Sequence, residues 1–233
     1  MKNLETIPLK SLVSAIVLLA MLGTASAQII VRPTAVSETG LGTAGGSLVN
    51  IIDGSGLSAA MNTGDAYTGT WSTHSTGGGG DAWISAFYPN GTNSMTFTLG
   101  GAYTLQGFNL WQYNETGYTV RSFNGFSIST STDGVNFNST GITLTSANLP
   151  QAPGVSTYTG IYTTLSGTNL TGVTHVRFEN ISSYAGDNPE FYIRGASEVR
   201  FVAVPEPSTW ALLTLGGAVL VVLRRRSLRR SAG

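Results

Sequence analysis

The amino-acid sequence predicts an all-β sandwich as the folded part of this 233-residue chain. Short runs that alternate apolar and polar residues, or that are rich in β-branched and aromatic residues, recur between Gly, Asn, Asp and Ser. Between residues 28 and 204, no segment keeps a helical period for more than about two turns. The 30 glycines fit many short strands joined by turns. We therefore predict one β-sandwich domain over residues 28–204.

The first 27 residues have the features of a signal peptide. Lys2 and Lys10 precede the apolar stretch 12–22, and Ala25-Ser26-Ala27 supplies the small residues that signal peptidase recognises. A first transmembrane helix is the alternative, but the apolar core is short and ends in a clean Ala-x-Ala pattern. We expect export, with signal peptidase as the first partner.

Six strands are predicted between the turn signals of the mature chain. In the first of them, Met95, Phe97 and Leu99 share one face, and Leu105 and Leu110 continue the apolar pattern in the second. The predicted strands cover residues 94–99, 104–112, 125–130, 156–164, 175–181 and 191–201.

A tight turn is predicted at Thr132-Asp133-Gly134. Gly134 can adopt a positive φ without steric cost, and the Asp133 carboxylate can accept hydrogen bonds from nearby backbone amides. Asp133 is thus interpreted as a turn former rather than as a ligand or catalyst. Phe137 is expected to return into the core after the turn.

The C-terminal residues combine an apolar segment with a cluster of arginines. Residues 208–223 carry no charge and would span roughly 24 Å as a helix, against a bilayer core of about 30 Å. Five arginines follow within residues 224–230, and the positive-inside rule places them in the cytoplasm. We predict a single transmembrane helix, with the sandwich domain on the outer side of the membrane.

Composition excludes several kinds of site. Residues 28–204 hold five arginines, no lysine and ten acidic residues, and five minus ten gives a net charge of −5. Such a surface argues against a nucleic-acid partner, which requires clustered cations. The chain has no cysteine, so thiol catalysis, zinc-thiolate sites and iron-sulfur clusters are excluded. The fold must depend on a large core or a metal rather than on disulfides.

The end of the chain resembles the PEP-CTERM sorting signal of Gram-negative bacteria that make exopolysaccharide. The resemblance rests on three parts in order, which are Pro205-Glu206-Pro207, the apolar segment and the basic residues Arg224, Arg225 and Arg226. It implies processing by an exosortase, a membrane cysteine protease-transpeptidase, through an intermediate anchored in the inner membrane. The protein would then reach the cell surface or the extracellular matrix. A permanent membrane anchor is the alternative.

Four stretches stand in order within residues 51–202, namely "NSMTFTLGGAYTLQGFNLWQYNE", "RSFNGFSISTSTDGVNF", "THVRFENIS" and "EFYIRGASEVRF". Their order and motifs resemble a discoidin-type, galactose-binding-like domain of the coagulation-factor C-type class. The resemblance implies a single jelly-roll sandwich that binds ligands with loops at one end. The signal peptide and the C-terminal transmembrane helix would flank this domain.

The same resemblance implies a calcium site. In such domains the first loop and the last strand lie side by side and often share Ca²⁺, which implies Asp53, Ser58 and Glu198 as ligands here. Oxygen ligands from a flexible loop suit calcium. The alternative is that Asp53 caps a turn while Glu198 pairs with Arg200 or Arg177.

Sugar binding requires an aromatic face that stacks on the ring and a few fixed polar groups. Trp83 and Trp111 are expected to pack in the core instead of contacting a ligand. The candidate ligand-binding residues are Trp71, His74, Asn114, Arg121 and Tyr184.

Three classes of function follow. The leading prediction is an exported, non-catalytic surface or extracellular-matrix protein whose discoidin-like domain binds carbohydrate or exopolysaccharide. A structural or adhesive envelope protein without a dedicated sugar site is the alternative. An exported polysaccharide hydrolase ranks third, because the sequence carries no nucleophile-elbow pattern.

Overall fold

The computed structural model of the protein describes residues 27–86, 92–185 and 193–205. The predicted transmembrane segment and nearly all of the predicted signal peptide lie outside these residues, and no helix within them is long and apolar enough to cross a membrane. The elements are β1 (Ile29–Val31), β2 (Ala35–Thr39), the helix α1 (Asn50–Asp53), β3 (Trp83–Ile84), β4 (Ser94–Gln112), a 3-10 turn (Thr119–Arg121), β5 (Phe123–Ser131), β6 (Asn138–Leu144), β7 (Ile161–Thr164), β8 (Val173–Ser183) and β9 (Gly195–Pro205).

The strands form two antiparallel layers that share β4. The first half of β4 pairs with β2 and β8, and β8 continues through β5 to β6. The second half of β4 pairs with β7 and β9, and β1 and β3 pair with the other side of β9. The predicted all-β sandwich is confirmed.

The sequence predicts two strands separated by a turn at Gly100-Gly101, but the structure has a single strand, β4, in their place. It is one strand of 19 residues whose register shifts between Thr98 and Tyr103. Gly100 has a φ of +74°, so the chain bends there, but the strand continues on both sides of the bend. This bend carries β4 from one layer of the sandwich into the other.

Aromatic rings fill the space between the layers. Phe178 lies at the centre, with ring centroids 4.2 Å from Phe126, 5.0 Å from Phe97 and 5.4 Å from Phe108. The predicted inward face of the first strand is confirmed, since Met95, Phe97 and Leu99 are all buried. Trp83 and Trp111 are also fully buried, as predicted.

Four strands were not predicted from the sequence, and a fifth is shorter than predicted. Strands β1 and β3 have only three and two residues, β2 has five, and β6 has an exposed, largely polar sequence. These runs are too short or too polar to show a clear apolar alternation. The predicted strand at 156–164 begins only at Ile161, because Gly160 has a φ of +79°.

The predicted turn at Asp133 is confirmed in detail. The Asp133 Oδ1 accepts hydrogen bonds from the N–H groups of Val135 and Asn136, both at 2.8 Å, and Gly134 has a φ of +78°. Phe137 was predicted to lie in the core, and this prediction is wrong. Its side chain is partly exposed beneath Arg177, whose Cζ lies 3.5 Å from the ring centroid. The turn leads the chain onto the outer surface instead of back into the core.

We expect the Asp133 carboxylate to make stability depend on pH in the acid range. The backbone N–H groups of Asn136 and Val135, with the Asn136 and Ser131 side chains, hold the pKa of Asp133 well below its usual range. A lowered pKa stabilises the fold above the unfolded value of about 3.9 and loses that contribution as the pH falls. Asp133→Ala should therefore lower the thermal midpoint at pH 7, and the difference from the parent protein should shrink below about pH 4. A difference that stays constant down to about pH 2 would contradict this assignment.

Candidate functional site

The first loop, which we define as residues 50–61 and which begins with helix α1, lies beside the last strand, β9. Helix α1 ends at Asp53, and the next residue, Gly54, has a φ of +87° and donates its N–H to Glu198 Oε2 at 2.7 Å. Because β9 alternates its side chains, Val199 and Phe201 enter the core while Glu198 and Arg200 point to the outer face of the second layer. The first loop covers this outer face, so Glu198 and Arg200 are buried as well.

Glu198 forms a buried ion pair with Arg200. Its Oε1 accepts from Arg200 Nη1, and the exposed fractions of the two side chains are 0% and 1%. Burial raises the pKa of Glu198 to about 7, and the Arg200 charge opposes that rise. Burial likewise lowers the pKa of Arg200, and the Glu198 charge opposes that change.

Oxygen atoms of the three predicted calcium ligands have hydrogen-bond partners within the protein. Asp53 Oδ1 accepts from Ser55 N at 2.7 Å, and Ser58 Oγ accepts from Thr73 N at 3.1 Å. Glu198 Oε1 accepts from Arg200 Nη1, so this oxygen already has a positively charged partner. Within the described ranges, no three His, Cys, Asp or Glu side chains are grouped to hold a metal ion. The contacts instead match the alternative, in which Glu198 pairs with Arg200 and Asp53 caps a turn.

Arg121 lies in a second group of polar and aromatic side chains, which we call the Arg121 cluster (Tyr113, Glu115, Tyr118 and Arg121). Arg121 Nη1 donates to Tyr113 Oη at 3.3 Å and lies 3.4 Å from Glu115 Oε2. Its Cζ lies 4.4 Å from the Tyr118 ring centroid. Burial, together with a hydrogen bond to Glu115, raises the pKa of Tyr113 to about 12. Arg121 is thus paired within the protein, and only 16% of its side chain is exposed.

His74 and Asn114 are corrected from ligand-binding candidates to structural residues. Both side chains are fully buried, so neither can contact a ligand at the surface. Asn114 Nδ2 donates to Ser75 O at 3.1 Å and to Val155 O at 2.8 Å, and its Oδ1 accepts from Gly154 N at 2.9 Å. Burial also lowers the pKa of His74 and favours the neutral ring.

Tyr184 supports a neighbouring loop. Its hydroxyl donates to Leu149 O at 2.7 Å and to Ser146 O at 3.2 Å, and its N–H donates to Ser122 O at 3.1 Å. Ser122 follows Arg121 directly, so Tyr184 lies close to the Arg121 cluster. Its hydroxyl is used by the protein backbone, which makes Tyr184 a positioning residue rather than a free sugar contact.

Trp71 belongs to a patch that the sequence did not reveal, which we call the aromatic patch (Tyr67, Trp71 and Tyr162). The Tyr162 ring stacks at 30° on both neighbours, with centroids 5.3 Å from Tyr67 and 5.8 Å from Trp71. All three residues are partly exposed. Tyr67 and Trp71 come from the long loop before β3, whereas Tyr162 comes from β7, so 95 positions separate Tyr67 from Tyr162.

Strand β4 forms the floor of the aromatic patch. Trp111 packs edge-on against Trp71 at 84°, and its Nε1 donates to Ser72 O at 3.0 Å. Asn109 lies opposite Tyr162 in the strand register and donates from Nδ2 to Thr159 O, while its buried Oδ1 has no hydrogen-bond partner among the residues that the structure describes. At the surface, the aromatic patch therefore offers three partly exposed rings and two tyrosine hydroxyl groups, while Asn109 lies beneath them.

Comparison with known proteins identifies the end of the chain. Residues 203–226 match the family model for the PEP-CTERM protein-sorting motif. Strand β9 ends at Pro205, the first residue of the Pro-Glu-Pro tripeptide, and the remaining motif residues lie outside the described ranges. No curated protein matches the chain in sequence.

Several solved structures are similar to the described sandwich. A module called CBM32-3 from a family 31 glycoside hydrolase of Clostridium perfringens has a TM-score of 0.47 and 17% identity, covering 76% of this chain and 92% of its own. The F5/8 type C domain of a Bacteroides fragilis protein has a TM-score of 0.46 and 14% identity, covering 77% and 99%. CpGH89CBM32-5 from Clostridium perfringens, solved with GalNAc-β-1,3-galactose, has a TM-score of 0.42 and 18% identity, covering 72% and 93%. The chain thus joins an all-β sandwich, at its last strand, to a PEP-CTERM protein-sorting motif.

Proposed function

We propose that this chain is an exported, non-catalytic protein of the cell surface or extracellular matrix whose sandwich domain binds a polysaccharide through the aromatic patch. Its sorting would pass through an inner-membrane intermediate and an exosortase, which the PEP-CTERM match supports. The observation that carries the binding proposal is the grouping of Tyr67, Trp71 and Tyr162, three partly exposed rings with two hydroxyl groups.

The chemistry of the patch suits a sugar. The apolar face of a pyranose ring packs on an aromatic ring, while nearby hydroxyl and amide groups pair with the sugar hydroxyls. The Trp71 ring supplies the largest apolar face, and the hydroxyl groups of Tyr67 and Tyr162 supply hydrogen-bonding atoms beside it. The net charge of −5 over residues 28–204 favours a neutral polysaccharide over a polyanion, because like charges repel.

Several carboxylates of the domain already have structural partners, which supports a non-catalytic role. Glu115 accepts from Tyr113 and Arg121, Asp133 caps a turn, and Glu198 pairs with Arg200. A pair of free, facing carboxylates would be the usual requirement for glycoside hydrolysis.

Replacing Trp71 tests the proposal. We expect Trp71→Ala to weaken binding to a neutral polysaccharide at least about tenfold, since an aromatic anchor in a binding site is worth about 2 kcal/mol or more. Binding would be measured with a panel of neutral glycans and with the extracellular polysaccharide of the producing cells. Phe137→Ala is the matched control, because it removes a partly exposed aromatic ring in the hairpin after Asp133.

Three results would count against the proposal. Equal binding by the parent protein and Trp71→Ala would remove the aromatic patch as the binding site. A parent protein that binds none of these glycans would favour the structural or adhesive envelope protein. Release of shortened oligosaccharides would favour the exported hydrolase.

A further inference from the structure

Three charged side chains hold the first loop, and we call them the charge clamp (Arg32, Glu198 and Arg200). Glu198 and Arg200 are buried, and Arg32 is partly buried. Each member makes a hydrogen bond to the backbone of residues 52–61. Arg32 Nε donates to Ile52 O at 2.8 Å, Glu198 accepts from Gly54 N at 2.7 Å, and Arg200 Nε donates to Met61 O at 2.8 Å. The three side chains therefore hold α1, its C-terminal turn and the following loop against the second layer.

Arg200 occupies the centre of the charge clamp. Besides Met61 O, its guanidinium contacts Glu198 Oε1 and donates to Val199 O at 2.8 Å. A Cβ atom added to Gly54 would lie 3.4 Å from Arg200 Nη2, so the helix end rests directly on the guanidinium. The side chain is 1% exposed, and a buried cation is tolerated only when it is paired and hydrogen-bonded.

The charges around this point are balanced without a metal ion. Arg32 and Arg200 supply two positive charges, and Asp53 and Glu198 supply two negative ones, all close enough to influence Glu198 or Arg200. A divalent cation at Glu198 would lie beside the Arg200 guanidinium and would be repelled by it. The carbonyl of Met61, a type of oxygen that could serve a calcium ion, is instead used by Arg200.

We infer that the Arg200 guanidinium takes the place of a structural cation in this protein and holds the first loop on β9 independently of calcium. The loop that leads from this contact carries Tyr67 and Trp71, but the inference concerns stability and does not depend on the binding proposal.

The first test compares Arg200→Met with the parent protein by thermal unfolding. We expect the midpoint to fall by about 10 °C, because the substitution leaves the Glu198 carboxylate buried without its cation. Arg177→Met is the matched control: Arg177 lies 3.9 Å from Glu179, both side chains are about one-third exposed, and a shift of no more than about 4 °C is expected.

The double variant Glu198→Gln, Arg200→Met separates the charge pair from simple loss of packing. It removes both charges, while the amide oxygen of the introduced glutamine can still accept from Gly54 N. We therefore expect the double variant to unfold at a higher temperature than Arg200→Met alone. A double variant that is no more stable than Arg200→Met would contradict a pairing role for Arg200.

The second test needs no variant. The midpoint of the parent protein should change by less than about 2 °C between excess calcium and excess chelator, since only a ligand that binds the native state raises it. A calcium-dependent rise that Glu198→Gln abolishes would overturn the inference and restore the calcium site implied by the sequence resemblance. Failure of polysaccharide binding would leave both of these results unaffected, so the two proposals can fail independently.

Discussion

Phe178→Ala is expected to lower the thermal midpoint by about 10 °C, the largest effect that we expect from any single core substitution. Phe178 is fully buried, and its ring contacts those of Phe97, Phe108 and Phe126 in the centre of the sandwich. Truncating a buried Phe to Ala costs about 3–5 kcal/mol, and each kcal/mol shifts the midpoint of a domain of this size by about 2–4 °C. The expected loss of stability has two causes, which are the lost free energy of burying the phenyl ring and the cavity that the shorter side chain leaves.

Phe137→Ala provides the matched comparison for this substitution. The same atoms are removed, but Phe137 lies partly exposed beneath Arg177, so we expect a shift of less than about 4 °C. If Phe137→Ala and Phe178→Ala lowered the thermal midpoint by similar amounts, Phe178 would not lie at the centre of the core.

Asn114→Ala is expected to lower the free energy of unfolding by about 3 kcal/mol. The Asn114 side chain bonds to three backbone groups, at Ser75, Gly154 and Val155, and ties two loops to the end of β4. Its removal leaves these groups without a partner, and each unsatisfied buried group costs about 1–3 kcal/mol. Urea unfolding at about pH 7 would measure the change.

The control for Asn114→Ala is Asn138→Ala at the exposed start of β6, where we expect a change within about 0.5 kcal/mol. The structural interpretation of Asn114 expects Asn114→Ala to lose stability, whereas the ligand-binding interpretation expects it to lose polysaccharide binding. If Asn114→Ala kept its stability but lost polysaccharide binding, the original prediction of a ligand contact would be correct and the structural assignment wrong.

The layers and core of the fold were predictable from the sequence because side-chain alternation is a local signal. Met95, Phe97 and Leu99 alternate with polar residues, and this pattern needs no knowledge of the rest of the chain. The Asp133-Gly134 turn was predictable for the same reason, since its hydrogen bonds run between residues two and three positions apart.

Features that depend on distant partners were not predictable. The continuity of β4 through Gly100 depends on β8 and β9 lying beside its two halves, and Gly-Gly alone indicates a turn. Phe137 looked like a core residue because it is aromatic and follows a turn. Arg177 lies on β8, which pairs with β5, so its contact with Phe137 depends on a pairing of distant strands that no local pattern reveals.

The grouping of residues in the candidate site also depends on distant partners and was not predictable from the sequence. Trp71 was named from its residue type, but its partner Tyr162 lies 91 positions further along the chain and could not be assigned to it. His74 and Asn114 were chosen because sugar binding requires a few fixed polar groups and the discoidin resemblance implies that loops at one end of the sandwich bind the ligand. Burial gives both a structural role instead, and burial of polar residues is the property that composition predicts least well. A search for aromatic residues in the long loop before β3 would have added Tyr67.

The most direct test of the account is the binding constant of a neutral extracellular polysaccharide for the parent protein, Trp71→Phe and Trp71→Ala. If the aromatic patch stacks on a sugar ring, Trp71→Phe should keep binding within about fivefold of the parent, and Trp71→Ala should lose at least about tenfold. All three proteins should unfold within a few degrees of one another, so that the loss can be assigned to the ring. Equal binding constants for the three proteins would contradict the proposed role of the aromatic patch.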